Sequence, residues 1–246
     1  MLPSEYQIKV FADGADLDVI REMATKDWVK GFTTNPTLMR AAGIDDYREF
    51  ALRVLEIVTD RPVSFEVFAD DLPTMELQAR EIATWGPNVN IKIPITNTKK
   101  QSTAELVGCL SHDGIIVNVT AMFTTGQVKE IVDVLDPKTP AILSVFAGRV
   151  ADAGTDPMPL MKESLRIMKD TPKAELLWAS PREVLNVVQA NEVGCHIITA
   201  TDGILNKLSS IGKDHEQFSL ETVEMFFNDA QSAGYSISVP ALDTAE

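Results

Sequence analysis

The sequence predicts a closed (β/α)8 barrel, and three observations carry that prediction. Short β-branched runs alternate with amphipathic stretches, and the alternation recurs eight times at about 25 to 35 residues, the size of a strand–helix unit. The connections are too short to build a second domain. A chain of 246 residues is long for an ordinary domain, but α/β barrels routinely reach that length as one unit. A doubly wound open sheet is the runner-up architecture.

The first strand is expected at 8–13 and is followed by a helical pattern at 17–26, which Asp13 would cap or face. The second strand, 31–34, runs into Asn35 and Pro36, a turn signal, before a helix at 47–58. Strands at 63–67, 89–93, 115–119 and 141–144 alternate with helical patterns at 74–85, 102–110, 126–135 and 159–169. The seventh strand, 175–179, leads into Ser180 and Pro181, which read as an N-cap with proline at the first helical position of a helix over 181–191. The eighth pair is 196–199 and 204–208. A single domain over 1–246 is therefore expected, with the barrel at about 8–208 and an additional C-terminal helix at about 218–233 before a tail. The apolar Val223, Phe226, Phe227 and Ala230 of that helix fall at helical spacing, suited to capping the barrel floor or packing on another subunit.

Composition narrows the function classes. The 22 basic and 36 acidic side chains leave a net charge of −14, which disfavours surfaces built for a phosphate backbone or anionic lipid, so neither nucleic acid nor membrane is an expected partner. Cys109 and Cys195 lack CxxC spacing and suit two reduced thiols in a cytoplasmic protein. The start of the chain lacks a basic segment followed by an apolar one, and no apolar run reaches membrane-spanning length. Glycine-rich phosphate loops are absent and the three histidines stand alone, so no metal and no organic cofactor are expected.

One residue stands out. Lys92 lies inside the apolar run 89–94, where a strand buried on both faces rarely carries a charge unless that charge is paired or working. Either it snorkels to water or pairs with Glu66 or Asp13, or it is a nucleophile, since a neutral amine forms a Schiff base with a ketone or aldehyde. In a barrel the C-terminal strand ends make the active site. Those ends carry Asp13, Thr34, Asn35, Glu66, Lys92, Asn118, Thr120, Arg149, Ser180 and Arg182. Each has a local structural explanation, but their convergence on one mouth has none. Lys92 would add to a ketone, Glu66 with a water held by Thr120 would move protons, and Asp13 would take a hydroxyl proton during C–C cleavage. Arg149 and Arg182, with Ser180 and the amides of the helix after strand seven, would hold a phosphate.

At these residues the chain resembles the transaldolase family, which includes small fructose-6-phosphate aldolase-like members. The resemblance runs from about residue 10 to about residue 208. It rests on Phe-Ala-Asp at 11–13, Gly-Phe-Thr-Thr-Asn-Pro-Thr-Leu at 31–38 and Asn-Ile-Lys-Ile-Pro-Ile-Thr at 90–96. Further along it rests on Asn-Val-Thr-Ala-Met-Phe-Thr-Thr-Gly-Gln at 118–127, Ser-Val-Phe-Ala-Gly-Arg-Val-Ala-Asp at 144–152 and Ala-Ser-Pro-Arg at 179–182. It implies a Schiff-base lysine on strand four, Lys92, with Asp13 as proton acceptor and Glu66 and Thr120 handling a water. It further implies that Asn35 and Asn118 bind a dihydroxyacetone unit and that Arg149, Ser180 and Arg182 bind phosphate, with no metal or cofactor. Glu66 and Phe146 match the transferring members, where the aldolases tend to carry glutamine and tyrosine. Small relatives often assemble through the final helix, so a homo-oligomer is expected. Val145 and Pro181 depart from the family pattern, as does the missing Gly-Leu pair after Lys92, and leave a specialised ketose, such as a sulfonated one, as an alternative substrate. A sugar-phosphate-binding barrel without catalysis is the rival from another class.

Overall fold

A computed structural model describes residues 6–238. Eight parallel strands, β1 (Lys9–Asp13), β2 (Val29–Thr33), β3 (Val63–Glu66), β4 (Val89–Pro94), β5 (Val117–Met122), β6 (Ala141–Val145), β7 (Ala174–Trp178) and β8 (Ile197–Ala200), follow one another round a closed (β/α)8, or TIM, barrel in which β8 pairs with β1. The helices between them are α1 (Leu17–Ala24), α2 (Pro36–Ala41), α3 (Tyr47–Ile57), α4 (Leu72–Ala83), α5 (Ala104–His112), α6 (Thr125–Val132), α7 (Ala147–Asp152), α8 (Met158–Ile167), α9 (Leu185–Glu192) and α10 (Asp202–Leu205). The chain divides into this barrel unit, ending at Ser209, and a C-terminal unit from Ser210 that holds α11 (His215–Ser232). The tail expected at the end of the chain lies in part outside the described residues.

Local chemistry sets the helix starts. Asp16, Asn35, Asp46, Asp71, Thr124 and Asp214 each accept a backbone N–H of the first turn of their helix. Proline at the start of α2 and α4 costs no hydrogen bond there. Two helices beyond the expected set, α2 and α7, are single six-residue turns at the mouth. The expected cap at Ser180 is not formed: its backbone is left-handed, with φ at 61°, and α9 begins only at Leu185. Residues 180–184 therefore make a loop at the mouth rather than a first helical turn.

Inward-facing residues recur every second position, as strand geometry requires. Below the mouth they are apolar, with Phe11, Ile142, Leu177 and Ile197 packed together and Ala179 reaching from this cluster to the mouth. The Phe11 ring fills the centre because Gly31, its partner in the register, has no side chain; a Cβ there would sit 2.5 Å from the ring. Above this layer the interior turns polar. Asn118 donates to Ser64 Oγ at 3.0 Å and accepts from Ser144 Oγ at 2.6 Å, tying β3, β5 and β6 by fully buried side chains.

The pairing of β2 with β3 is short, with Phe32 opposite Val63 and Thr33 opposite Ser64. Beyond the Thr34 N–H to Ser64 carbonyl bond of 3.2 Å, the Tyr47 hydroxyl takes over as partner for β3. It accepts from the Glu66 N–H at 2.7 Å and donates to the Glu66 carbonyl at 3.0 Å. No helix among the described residues is long and apolar enough to cross a membrane.

Candidate functional site

The mouth of the barrel holds a cavity of about 540 Å³ at the C-terminal strand ends. Nine residues expected at the site line it: Asp13, Asn35, Glu66, Lys92, Thr120, Phe146, Arg149, Ser180 and Arg182. Two others stand behind its wall. Thr34 turns its hydroxyl to the Ser64 carbonyl at 3.0 Å, and Asn118 is occupied by Ser64 and Ser144.

Register explains how Lys92 meets its carboxylate. Glu66 on β3 lies opposite Lys92 on β4, so both side chains enter the barrel side by side. Lys92 Nζ is 3.0 Å from Glu66 Oε2 and donates to the Thr34 carbonyl at 2.9 Å. Their side chains keep only 9% and 16% of their exposure, so the ion pair is largely out of water and both partners depend on it. Lys92 is thus paired with Glu66, as one reading of its sequence position had it, and lines a cavity.

Asp13 ends β1 on the same cavity. It accepts from Thr33 Oγ1 at 2.7 Å and from Asn35 Nδ2 at 3.4 Å. Burial raises its pKa above the ordinary 3.8, against the opposing pull of the Lys92 charge and of these two donors. Thr33 also lies 2.6 Å from the Thr199 hydroxyl of β8. A threonine has one proton, so when Thr33 donates to Asp13 it must accept from Thr199.

Thr120 projects from β5 just before a bulge at Ala121, whose φ is 59° and where the β5–β6 register shifts. Its hydroxyl is buried and has no partner among the described residues. A buried hydroxyl lining a polar cavity without a partner is suited to holding a water or a substrate group.

The cationic side of the mouth comes from α7 and the loop after β7. Arg149 lies over the Phe146 ring, 5.4 Å from its centroid, and Phe146 in turn packs on Phe123 with ring centres 5.8 Å apart. Arg182 is gripped by Asp152, with Nε to carboxylate distances of 2.9 and 3.0 Å, and donates to Ser180 Oγ at 3.0 Å. This contact holds the Asp152 carboxyl below its usual range, with Arg149 adding to the effect. Gly148 allows α7 to press against that loop: a Cβ there would lie 1.6 Å from the Ser180 carbonyl oxygen.

Sequence reasoning missed Tyr47, Ser64, Ser144, Asp152 and Thr199 as parts of this assembly. Hydroxyls on strands and an aromatic opening a helix carry no signal of their own. Only the register, which places Ser144 and Thr199 inside strands already expected, would have pointed to them.

A family model described as "Transaldolase/Fructose-6-phosphate aldolase" matches residues 10–241. A "Probable transaldolase" of Dehalococcoides mccartyi is 34% identical over 202 residues, covering 82% of this chain and 90% of its own. Another of that name from Thermoanaerobacter sp. is 33% identical over 232 residues, covering 94% of this chain and all of its own length. Among solved structures, KGPDC from Streptococcus mutans shares the fold, with a TM-score of 0.53 at 12% identity over 80% of this chain and 88% of that one.

Proposed function

The chain belongs to the transaldolase/fructose-6-phosphate aldolase family, and on that premise we propose that it is a transaldolase working through a Schiff base on Lys92. Its donor is a ketose phosphate such as fructose 6-phosphate or sedoheptulose 7-phosphate, and its acceptor an aldose phosphate. The observation that carries this reading is the Lys92 amine, 3.0 Å from Glu66 inside a cavity that Asp13 also lines.

The steps follow from the residues. The Lys92 amine, having given its proton to Glu66, adds to the ketose carbonyl to make a carbinolamine, and loss of water leaves an iminium. Glu66 supplies the proton that lets water leave, and the partnerless Thr120 hydroxyl holds that water. Asp13 then takes the proton of the hydroxyl next to the breaking bond. The C–C electrons flow to the iminium nitrogen, an aldose leaves, and dihydroxyacetone remains as an enamine. Attack of the enamine on a second aldose, with the proton returned by Asp13, makes the iminium of the new ketose. Addition of water through Glu66, followed by breaking of the C–N bond, frees the ketose and the Lys92 amine. Asn35, Thr34 and Asn118 position the three-carbon unit, the last two from behind the cavity wall. Phe146 and its partner Phe123 flank the mouth beside Arg149, while Arg149, Ser180 and Arg182 hold the phosphate.

Borohydride trapping with fructose 6-phosphate tests the reading. Intact-mass and peptide analysis should find a reduced dihydroxyacetone adduct on Lys92 and none in Lys92→Ala. No adduct with any ketose phosphate or sulfonate would return the chain to a binding barrel. Acceptor omission separates transfer from aldolysis: a transferase stalls after one turnover, whereas a fructose-6-phosphate aldolase-like enzyme keeps releasing dihydroxyacetone. Val145 and Pro181 make a sulfonated ketose the second donor to try. The setting we propose is a cytoplasmic homo-oligomer acting on sugar phosphates in carbohydrate metabolism, as in the pentose phosphate pathway, with its cysteines reduced.

A further inference from the structure

The opposite end of the barrel holds a second cavity, of about 430 Å³, at the N-terminal strand ends. Strand alternation ties it to the mouth: Phe11, Asn90 and Ile142 line the floor, and two residues along each strand Asp13, Lys92 and Ser144 line the mouth. The floor cavity has an apolar ceiling, made by Phe11 and Ile142, and a charged rim.

Among the described residues three lysines stand on that rim against one carboxylate, a local excess of positive charge on a protein that is strongly negative as a whole. Lys9 pairs with Glu175 at 2.7 Å. Lys30 and Lys173 have no carboxylate within ion-pairing distance among the described residues; they rest on the carbonyls of Asp27, at 2.7 Å, and of Lys138. An ammonium has three donors, so each keeps free N–H groups for a ligand.

Asn90 supplies the independent sign. It is only 4% exposed, faces into the barrel from β4, and its side-chain amide makes no hydrogen bond among the described residues. Its amide atoms are not sealed off but reach the cavity, where they are open to bond water or a ligand. Here the amide opens on a cavity with an apolar wall and cationic rim.

We propose that the barrel floor is a binding site for a small organic anion, its body against Phe11 and Ile142, a polar group on Asn90 and its anionic oxygens on Lys30, Lys173 and Lys9. The shared chemistry is an anionic oxygen group on a small polar carbon skeleton, and a phosphate or a carboxylate can supply it.

Titration calorimetry on the full chain tests the site with two probes, glycerol 3-phosphate and glycerate, which separate phosphate from carboxylate. Because such anions also fit the mouth, the measurement uses Arg149→Ala/Arg182→Ala as the background. That background should still bind one of the probes, and added Lys30→Gln/Lys173→Gln should weaken this by about tenfold or more, the loss expected of a charge-assisted hydrogen bond. Glu175→Gln should tighten it, since the change frees Lys9 and removes the one carboxylate on the rim among the described residues, an effect a purely structural role would not produce. Asn90→Leu should abolish it, and the exposed lysine variants keep the test sound if that core change disturbs folding. No binding of either probe to the background, or binding that the lysine changes leave within twofold, overturns the proposal.

Discussion

At the scale of single residues, the lysine and its carboxylates carry most of the proposed chemistry. Lys92→Met leaves Glu66 with an uncompensated buried charge, so stability should fall by about 3 kcal/mol together with the loss of adduct; chemical denaturation at neutral pH checks it. The companion change Glu66→Met in the same chain should recover much of that stability and none of the activity. Asp13 couples the fold to pH. Its pKa is raised in the folded state, so its stabilising contribution is complete below the ordinary 3.8 and is lost as pH rises through the folded value. Asp13→Asn should therefore match or exceed the wild type in melting temperature at pH 7 while losing C–C cleavage. For the same reason the acid limb of the wild-type rate profile should lie above 3.8. Lys92 was legible in the sequence because a charge interrupts an apolar run. The Thr199 hydroxyl that meets Thr33 beside Asp13 was not, because threonine is an ordinary strand residue and only three-dimensional register makes these two meet.

At the scale of elements, the site is held by joints that the hydrophobic pattern does not encode. Tyr47, the first residue of α3, stands in for a missing strand partner of Glu66, and aromatic contacts with Phe68 at 4.5 Å and Trp85 at 5.4 Å fix its ring. Burial raises the pKa of its hydroxyl and keeps it a donor. Tyr47→Phe would strand the Glu66 N–H and carbonyl, so we expect a loss of about 1–3 kcal/mol in urea unfolding. A fall in kcat larger than any rise in KM should accompany it as Glu66 loosens. The other joint is α7 against the loop after β7. Gly148→Ala must push the Ser180 carbonyl away, and with it the turn that presents Arg182, so KM for phosphorylated substrates should rise more than for dihydroxyacetone itself. Strands and long helices were legible through their two periods. The turns α2 and α7 were too short to show one, and the strong Ser-Pro cap signal at 180 failed because its serine is left-handed and faces Arg182.

At the scale of the whole molecule, the eightfold alternation was enough to give the barrel, since each strand–helix unit covers its apolar faces only by closing a ring. The C-terminal helix was also legible, though it begins earlier than its apolar spacing suggested, at a capping Asp214. None of its residues is buried, and Val223, Phe226 and Phe227 remain more than half exposed, an apolar face that suits the proposed homo-oligomer. Sedimentation should then find more than one chain per particle, and Phe226→Glu/Phe227→Glu should shift it toward the single chain without removing the Lys92 adduct. The Thr199–Thr33–Asp13 chain of hydroxyls has a consequence for how the protein comes into being. The amine and its glutamate come from strands made early in synthesis, but the acid on the first strand is not fully furnished until residue 199 emerges and the ring shuts. On the proposed mechanism a growing chain would hold its nucleophile without a finished partner for cleavage, and the last stave of the barrel would also be the one that arms the site.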